Sequence, residues 1–249
     1  QADAAVFRTD KTLAEGVAET ARAGQIFKFF AQEALRIAGD SIASVRPGVS
    51  IEVTREPVGV VGIITPWNFP MAIPAWKIAP ALAYGNTVVF KPADLTPACA
   101  HVLAELLHEA DCPAGVFNLV CGAGSVIGPA LLGSEQVRAI SFTGSVPVGQ
   151  ALARDAVAGM KKFQLELGGK NPMVVMNDAD IDTAVRACLE GTFFSTGQRC
   201  TGSSRLIVQS GIYDHFVERL TKAMVDLRVG DALDPQTELG PVASEKQLL

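Results

Sequence analysis

Between Val58 and Leu167 the chain alternates apolar runs of strand length with longer segments whose apolar residues recur at helical spacing. The strand-like runs are VGVVGIIT, TVVFK, VFNLV, RAISFT and KFQLEL, and helices are predicted at 74–84, 97–109 and 146–157. Strands that alternate with helices pair in parallel, and the helices then cover both faces of the sheet. The alternation therefore predicts an α/β fold with a mostly parallel sheet.

A second alternation of predicted strands and helices follows LGGK, with strands at PMVVM and RLIVQ and helices at about 181–194 and 213–227. We place a domain boundary here, so that 1–168 form one domain and 169–249 begin another. Upstream, the proline-free segment 9–37 repeats apolar residues at helical spacing and predicts a long helix. Residues 42–53 alternate around Pro47 and Gly48, which predicts a hairpin.

Charge and composition exclude several function classes. The 21 Lys and Arg residues against 26 Asp and Glu give a net charge of −5 without a basic cluster, so nucleic acid is not an expected partner. The apolar runs are too short to span a membrane and the first residues lack a secretory pattern, which predicts a soluble, cytoplasmic protein. The five cysteines are scattered without a CxxC pair, and the helical pair His101 and His108 lacks a third ligand, so no metal site is expected.

Two residues suggest nucleophilic and acid–base chemistry. Cys200 lies in GQRCTGSS among small polar residues, where a neighbouring cation and backbone amides favour the thiolate; the alternative is a buried structural cysteine. Glu166 interrupts the apolar pattern of KFQLEL and precedes two glycines. At a strand end it can activate water as a general base; the alternative is a solvated strand residue.

The segment TPWNFP follows the first strand, and its two prolines hold Asn68 in a rigid loop. Thiolate attack on a carbonyl carbon creates an oxyanion, which a fixed amide donor stabilises. The alternative is that Asn68 only shapes the turn. Together a thiol, a carboxylate and an amide predict acyl-thioester chemistry.

Two further segments indicate a dinucleotide. FKPAD offers Lys91 and Asp94 for ribose hydroxyls, and in ISFTGSVPVG a glycine and a serine open a helix whose free N–H groups suit phosphate. CGAGSVIG only approximates GxGxxG and is interpreted as a loop beside the adenine.

TPWNFP, FKPAD, FTGS with its following glycine, LELGGK and GQRC occur in the order and spacing of one family. From about Thr9 to Leu249 the chain resembles the NAD(P)-dependent aldehyde dehydrogenase superfamily, most closely the bacterial α-ketoglutaric (2,5-dioxopentanoate) semialdehyde dehydrogenases. The resemblance implies a Rossmann-like cofactor domain, the first part of an α/β catalytic domain, and a hairpin arm at about 42–57. It also implies a homodimer or homotetramer.

The resemblance further implies the site residues. Cys200 is the nucleophile, Asn68 and the Cys200 backbone N–H form the oxyanion hole, and Glu166 activates the water that hydrolyses the thioester. The implied cofactor-binding residues are Ile64, Thr65, Pro66, Trp67, Lys91, Ala93, Asp94, Gly124, Gly144, Ser145, Gly149, Leu167 and Gly168.

The chain also departs from the family pattern. It stops at ELGPVASEKQLL and begins without Met, so we expect a polypeptide truncated at both ends that shows little turnover alone. Asp94 stands where many members have Glu, and its acidity favours NAD, with NADP as the alternative. Arg199 is a candidate for binding the carboxylate of a semialdehyde acid; the alternative is that it has a structural role. The competing functions are a CoA-acylating relative and a catalytically silent nucleotide-binding fragment.

Overall fold

A computed structural model describes residues 11–248. Its main sheet has five strands in the order β5-β4-β3-β6-β7, and every neighbouring pair is parallel. The strands are β3 Val60–Ile64, β4 Thr87–Lys91, β5 Phe117–Leu119, β6 Val137–Gly144 and β7 Lys162–Leu167. The predicted parallel sheet is therefore confirmed.

Four helices cover the two faces of this sheet. On one face Phe90 packs with Ile78 and Leu103, and on the other Phe142 packs with Leu152. The helices are α2 Ala72–Ala83, α3 Pro97–Glu109, α4 Gly124–Gly133 and α5 Val146–Ala158. Strands buried on both faces explain why the sequence shows continuous apolar runs here rather than simple alternation.

Helix α4 corrects one sequence interpretation. Gly124, expected in a loop, is the first residue of this helix, and only residues 120–123 lie between strand β5 and the helix. The segment GSVIGPALLG carries three glycines and an internal Pro129, residues that disfavour a helix in isolation. Packing of Leu131 into the sheet core overrides that local preference.

The long N-terminal helix α1 runs from Leu13 to Glu33, followed by a 3₁₀ turn at Ala34–Arg36. Thr12 and Glu15 form a capping box that fixes its start, and residues 9 and 10 of the predicted helix lie outside the described range. Ala23 and Ile26 pack against Met71 and helix α2. Helix α1 thus packs against α2, the helix that follows TPWNFP.

The predicted hairpin is confirmed, with β1 Asp40–Ala43 paired antiparallel to β2 Ser50–Val53. All eight strand residues are exposed, including Ile42 and Ile51. Apolar side chains on an exposed two-stranded arm suit a contact with another surface.

After the main sheet, β8 Asn171–Val175 and β9 Ser203–Val208 form a separate parallel pair. Its core is built by helices α6 Ile181–Phe193 and α7 Tyr213–Val225, with Phe216 fully buried, and a short helix α8 spans Glu245–Leu248. Within residues 11–248, no helix combines the length and apolar character needed to cross a bilayer.

Candidate active site

The functional segments meet at the carboxyl edge of the main sheet. Strands β3 and β6 are neighbours, yet the chain leaves β3 toward β4 on one side and leaves β6 toward β7 on the other. Such a switch point leaves a crevice beyond the strand ends, where ligands of open α/β sheets bind. Thr65, Gly144 and Leu167 lie at the ends of three adjacent strands.

Two cavities open at this edge, and Cys200 lines both of them. The larger, of about 510 Å³, has Glu166 and Lys77 in its wall and Trp76 among its apolar residues. The smaller, of about 400 Å³, contains Asn68. It is also lined by the predicted cofactor residues Pro66, Trp67, Gly144, Ser145, Leu167 and Gly168. The structure therefore brings the three predicted catalytic residues to one place.

Cys200 is exposed and follows an irregular segment after helix α6. Ser195 and Thr196 adopt left-handed backbone angles, with φ of 52° and 56°, within the 3₁₀ segment Phe194–Gly197. On the other side, the Asn171 side-chain amide donates to the Cys200 carbonyl oxygen at 2.6 Å. The thiol is thus presented on an exposed loop whose backbone is held at Cys200 itself by Asn171.

Asn68 joins the loop after β3 to the loop that carries Cys200. Its Nδ2 donates to the Gln198 carbonyl oxygen at 2.9 Å, across 130 residues of sequence. Within the described chain its buried Oδ1 accepts no hydrogen bond. The amide therefore lies at the loop that carries Cys200 with one N–H engaged, and its geometry leaves the second N–H able to donate to an oxygen in the cavity.

Glu166 belongs to a polar network that the sequence did not reveal. Gln164 donates from Nε2 to Glu166 Oε1 at 2.8 Å, while its own Oε1 accepts from Lys77 Nζ at 2.8 Å and from Ser141 Oγ at 2.6 Å. Lys77 Nζ also donates to Ser141 Oγ at 2.8 Å. The network holds the Glu166 carboxylate at the cavity wall beside Cys200.

Burial lowers the pKa of Lys77 from 10.5 to about 8, although the Glu166 carboxylate opposes the shift. The lysine was overlooked because it interrupts an otherwise apolar helix, AIPAWKIAPALA, where one charge resembles a solvent-facing residue. The usable signal was polar alternation in the strands, since Ser141 and Thr143 in β6 match Gln164 and Glu166 in β7.

The residues expected to hold a dinucleotide form a fitting surface. A Cβ at Gly144 would come 2.4 Å from the Phe142 ring, and one at Gly149 would come 2.5 Å from Leu167 Cδ2, so a larger residue at either position would have to displace that side chain. Within the described residues, the first turn of α5 has no side-chain cap at Ser145. This turn begins at the wall of the smaller cavity, and its N–H groups other than that missing at Pro147 are not engaged by a capping side chain, as anion binding requires.

The residues expected to contact the ribose also lie close to one another. Lys91 Nζ donates to Asp94 Oδ1 at 2.7 Å and to the Pro92 carbonyl oxygen at 2.6 Å, and Ala93 lies half-buried between them. A Cβ at Gly124 would lie 4.0 Å from Lys91 Cε. Strand β3 ends at Ile64 directly beside Lys91 in the sheet, and Thr65 N donates to the Lys91 carbonyl oxygen at 3.2 Å.

Arg199 is placed differently from its neighbour Cys200. Its guanidinium donates from Nη2 to the carbonyl oxygens of Glu190 and Gly191, at 2.7 and 2.8 Å, and lies over the Phe194 ring. These carbonyls belong to the last turns of α6, where a cation also complements the helix dipole. Arg199 lines the smaller cavity, whereas Glu166 lines the larger one.

The sequence is similar to proteins of one family. The aldehyde dehydrogenase family model matches residues 2–249. An α-ketoglutaric semialdehyde dehydrogenase of Bacillus subtilis (strain 168) is 51% identical over 239 residues, which are 96% of this chain and 49% of that protein.

Solved structures are similar over the same extent. A crystal structure of an Escherichia coli NADP-dependent enzyme has a TM-score of 0.97 at 43% identity, covering 98% of this chain and 51% of that one. A betaine aldehyde dehydrogenase of Staphylococcus aureus in complex with NAD+ has a TM-score of 0.96 at 39% identity, covering 98% and 49%. The chain thus spans about half the length of these relatives.

Proposed function

Because the chain belongs to the aldehyde dehydrogenase family, we propose that the protein containing it oxidises an aldehyde to a carboxylic acid with NAD+ or NADP+. The observation that carries the proposal is the position of Cys200 on the walls of two cavities. One contains Glu166 and the other contains Asn68 beside the crevice that suits a dinucleotide. Within the chain, we propose that residues 1–168 form the cofactor domain and that 169–249 belong to the catalytic domain.

The Cys200 thiolate adds to the aldehyde carbon and forms a thiohemiacetal, whose oxyanion accepts hydrogen bonds from Asn68 and the Cys200 backbone N–H. One such preorganised donor lowers a barrier by roughly 3 kcal/mol in acyl-transfer enzymes. NAD+ or NADP+, held by the residues that line the smaller cavity, would supply the hydride acceptor. Loss of hydride from the thiohemiacetal carbon leaves the acyl group on Cys200 as a thioester. Glu166 then takes a proton from water, which attacks the thioester and releases the acid.

The cofactor would be held along the crevice by Lys91 and Asp94 at the ribose and by the first turn of α5 at the phosphates. Asp94 is exposed and paired with Lys91, and an acidic group here favours a free 2′-hydroxyl. We therefore propose NAD+ as the preferred cofactor. Comparing kcat/KM for NAD+ and NADP+ in the unmodified protein and in Asp94→Ser tests this; an unchanged ratio would exclude Asp94 from cofactor choice.

The central test measures absorbance at 340 nm with short aldehydes and semialdehyde acids, in the protein that contains this chain. Cys200→Ala should abolish nucleotide reduction, while Cys112→Ala, a cysteine away from both cavities, should preserve it. Product analysis separates the alternatives: a free acid supports hydrolysis, and a thioester formed only with added CoA supports the CoA-acylating relative. If no aldehyde yields reduced nucleotide, the oxidation proposal fails and the catalytically silent, nucleotide-binding alternative remains.

For the substrate we propose a semialdehyde acid, in keeping with the Bacillus subtilis relative. Recognition of its carboxylate by Arg199 would require breaking the two bonds to the α6 carbonyls. Arg199→Ala compared on semialdehyde acids and uncharged aldehydes tests this role. Equal losses on both would assign Arg199 to holding the nucleophile loop.

Hairpin β1–β2 is the element we propose for contacts in a homodimer or homotetramer, because its apolar residues are exposed. Sedimentation of the protein with Ile42→Lys and Ile51→Lys tests the assignment. An unchanged mass would place the interface elsewhere.

A further inference from the structure

Helix α1 carries two carboxylates that reach both loops of the candidate site. Glu15 and Glu19 are four residues apart and therefore lie on one face of the helix. Neither lines either of the two cavities that Cys200 lines, and the sequence pattern alone does not distinguish them. Each nevertheless has a bonding partner 52 or more residues away in sequence, which indicates a tertiary role.

Glu19 fixes the end of the loop that carries Asn68. Its Oε1 accepts from the backbone N–H groups of Met71 and Ala72, at 2.8 and 3.1 Å, at the start of helix α2. The α2 N-cap Met71 has no capping side chain of its own, so a carboxylate from another helix satisfies these donors. The Glu19 side chain is 1% exposed.

Lys11 neutralises this buried carboxylate. Its Nζ donates to Glu19 Oε2 at 2.6 Å and lies 3.4 Å from the centroid of the Phe69 ring, the residue after Asn68. Removing either charge of a buried ion pair leaves the other charge uncompensated, which is strongly destabilising. Lys11 and Glu19 therefore act as one unit. The Asn68 loop is thus held from the α1 side at Phe69 and at Met71.

Glu15 holds the loop that carries Cys200. Its Oε1 accepts from the Ser195 backbone N–H at 2.6 Å, while its Oε2 accepts from the Thr12 N–H at 2.9 Å within the capping box. Ser195 is the first of the two left-handed residues before the nucleophile. A sparsely populated backbone conformation persists only when surrounding contacts enforce it, and Glu15 supplies one.

We propose that Glu15 and Glu19 are positioning residues that set Asn68 relative to Cys200, acting through the backbone of the two loops. This inference rests on the proposed function for its catalytic meaning. The hydrogen bond from Asn68 to the Gln198 carbonyl oxygen then links two loops that contacts with α1 already hold in place. Displacement of a reacting group by about 1 Å costs up to about a hundredfold in rate, so loss of either anchor should slow chemistry that needs the oxyanion donor.

The test uses acylation of Cys200 by p-nitrophenyl acetate, which requires no nucleotide. The thiolate forms a bond to the acyl carbon, the bond to p-nitrophenolate breaks, and the leaving group carries away the electron pair. The burst of p-nitrophenolate reports the maximum acylation rate per thiol and the ester concentration at half-maximal rate. It also separates the two proposals, because a burst without NAD(P)H formation refutes the proposed function and leaves the positioning role intact.

Glu15→Ala should lower the maximum acylation rate about tenfold with little change in half-saturation. Glu15→Gln retains an oxygen acceptor for Ser195 N–H and should restore the rate to within about threefold. Glu33→Ala, on the same helix with its carboxylate paired to Arg36, is the matched control and should keep the full rate. Equal rates in Glu15→Ala and Glu15→Gln, or an equal loss in Glu33→Ala, would overturn the role of Glu15.

Glu19 is tested by replacing both members of the ion pair at once, Lys11→Met with Glu19→Ala, so that neither charge is left buried alone. The paired substitution should slow acylation about tenfold in the otherwise unmodified protein, but by less than about twofold when Asn68→Ala is already present, because the donor that Glu19 positions is then missing. A general loss of packing would slow both backgrounds alike. That result, or unaltered rates in all variants, would refute the positioning of Asn68 by Glu19.

Discussion

Replacing Lys77 with methionine should alter how stability depends on pH. The Lys77 ammonium is buried among Ser141, Gln164 and the cavity wall, and burial lowers its pKa from 10.5 to about 8. A difference of about 2.5 pH units corresponds to roughly 3 kcal/mol that the folded protein loses at pH 7 by keeping this lysine charged. Methionine fills a similar volume without that cost.

The sign follows from proton binding. Between pH 8 and 10.5 the unfolded chain holds the Lys77 proton while the folded chain has released it, so the free energy of unfolding rises with pH across this interval. The two hydrogen bonds of Lys77 oppose the gain from its removal by about 1 kcal/mol each. Lys77→Met should therefore be more stable by about 1 kcal/mol at pH 7 and less stable by about 2 kcal/mol near pH 10.5.

Urea unfolding followed by circular dichroism at 222 nm, at several pH values between 7 and 10.5, measures this crossover. Other titrating groups are common to both proteins and cancel in the difference. Lys28→Met, which removes an exposed lysine of helix α1, is the control and should differ from the unmodified protein by a constant amount. A constant difference for Lys77→Met as well would refute the assigned burial cost.

Three further outcomes are expected. Glu166→Gln should slow steady-state turnover about a hundredfold or more while preserving a burst of one NADH per site; unchanged turnover would exclude general-base action. Gly149→Val should weaken NAD+ binding about tenfold in a fluorescence titration, because its Cβ meets Leu167 at 2.5 Å. Gly24→Val in α1, where an added Cβ meets no atom within 4 Å, is the control and should bind NAD+ normally; equal affinities of the two variants would oppose a pyrophosphate site at α5. Phe216→Ala should lower the free energy of unfolding by about 3 to 5 kcal/mol, measured in urea, and a loss below about 1 kcal/mol would contradict its burial in the core.

The sheet was predictable because its signals are local. Strand β4 and helix α3 have the bounds that their apolar runs and flanking prolines indicate, and β7 begins and ends as its pattern predicts. Because parallel strands direct their carboxyl ends to one edge, TPWNFP, FTGS and LELGGK lie together there in the folded chain. Helix α4 escaped prediction because its glycines and Pro129 argue against a helix until tertiary packing is included.

The supporting contacts of the site were not predictable from local pattern. Glu15 and Glu19 resemble surface residues of an amphipathic helix, and only the folded chain shows them accepting from distant N–H groups. Gln164 shares one strand face with Glu166, which is a period-two signal, but its link to Lys77 depends on how α2 packs. Likewise, the direction of the Arg199 guanidinium is decided by the carbonyls at the end of α6.

The bond between Asn68 and the Gln198 carbonyl oxygen joins residues 130 positions apart, and the bond from Ser195 to Glu15 closes a separation of 180. During synthesis at the ribosome, Glu15 in helix α1 can therefore bond to Ser195 only after 180 further residues have been added to the chain. Contacts of such separation form late, since the entropy of closing long loops opposes them. Cys200 consequently comes together with Asn68 and Glu166, each of which lines one of its two cavities, only when most of this sequence has folded.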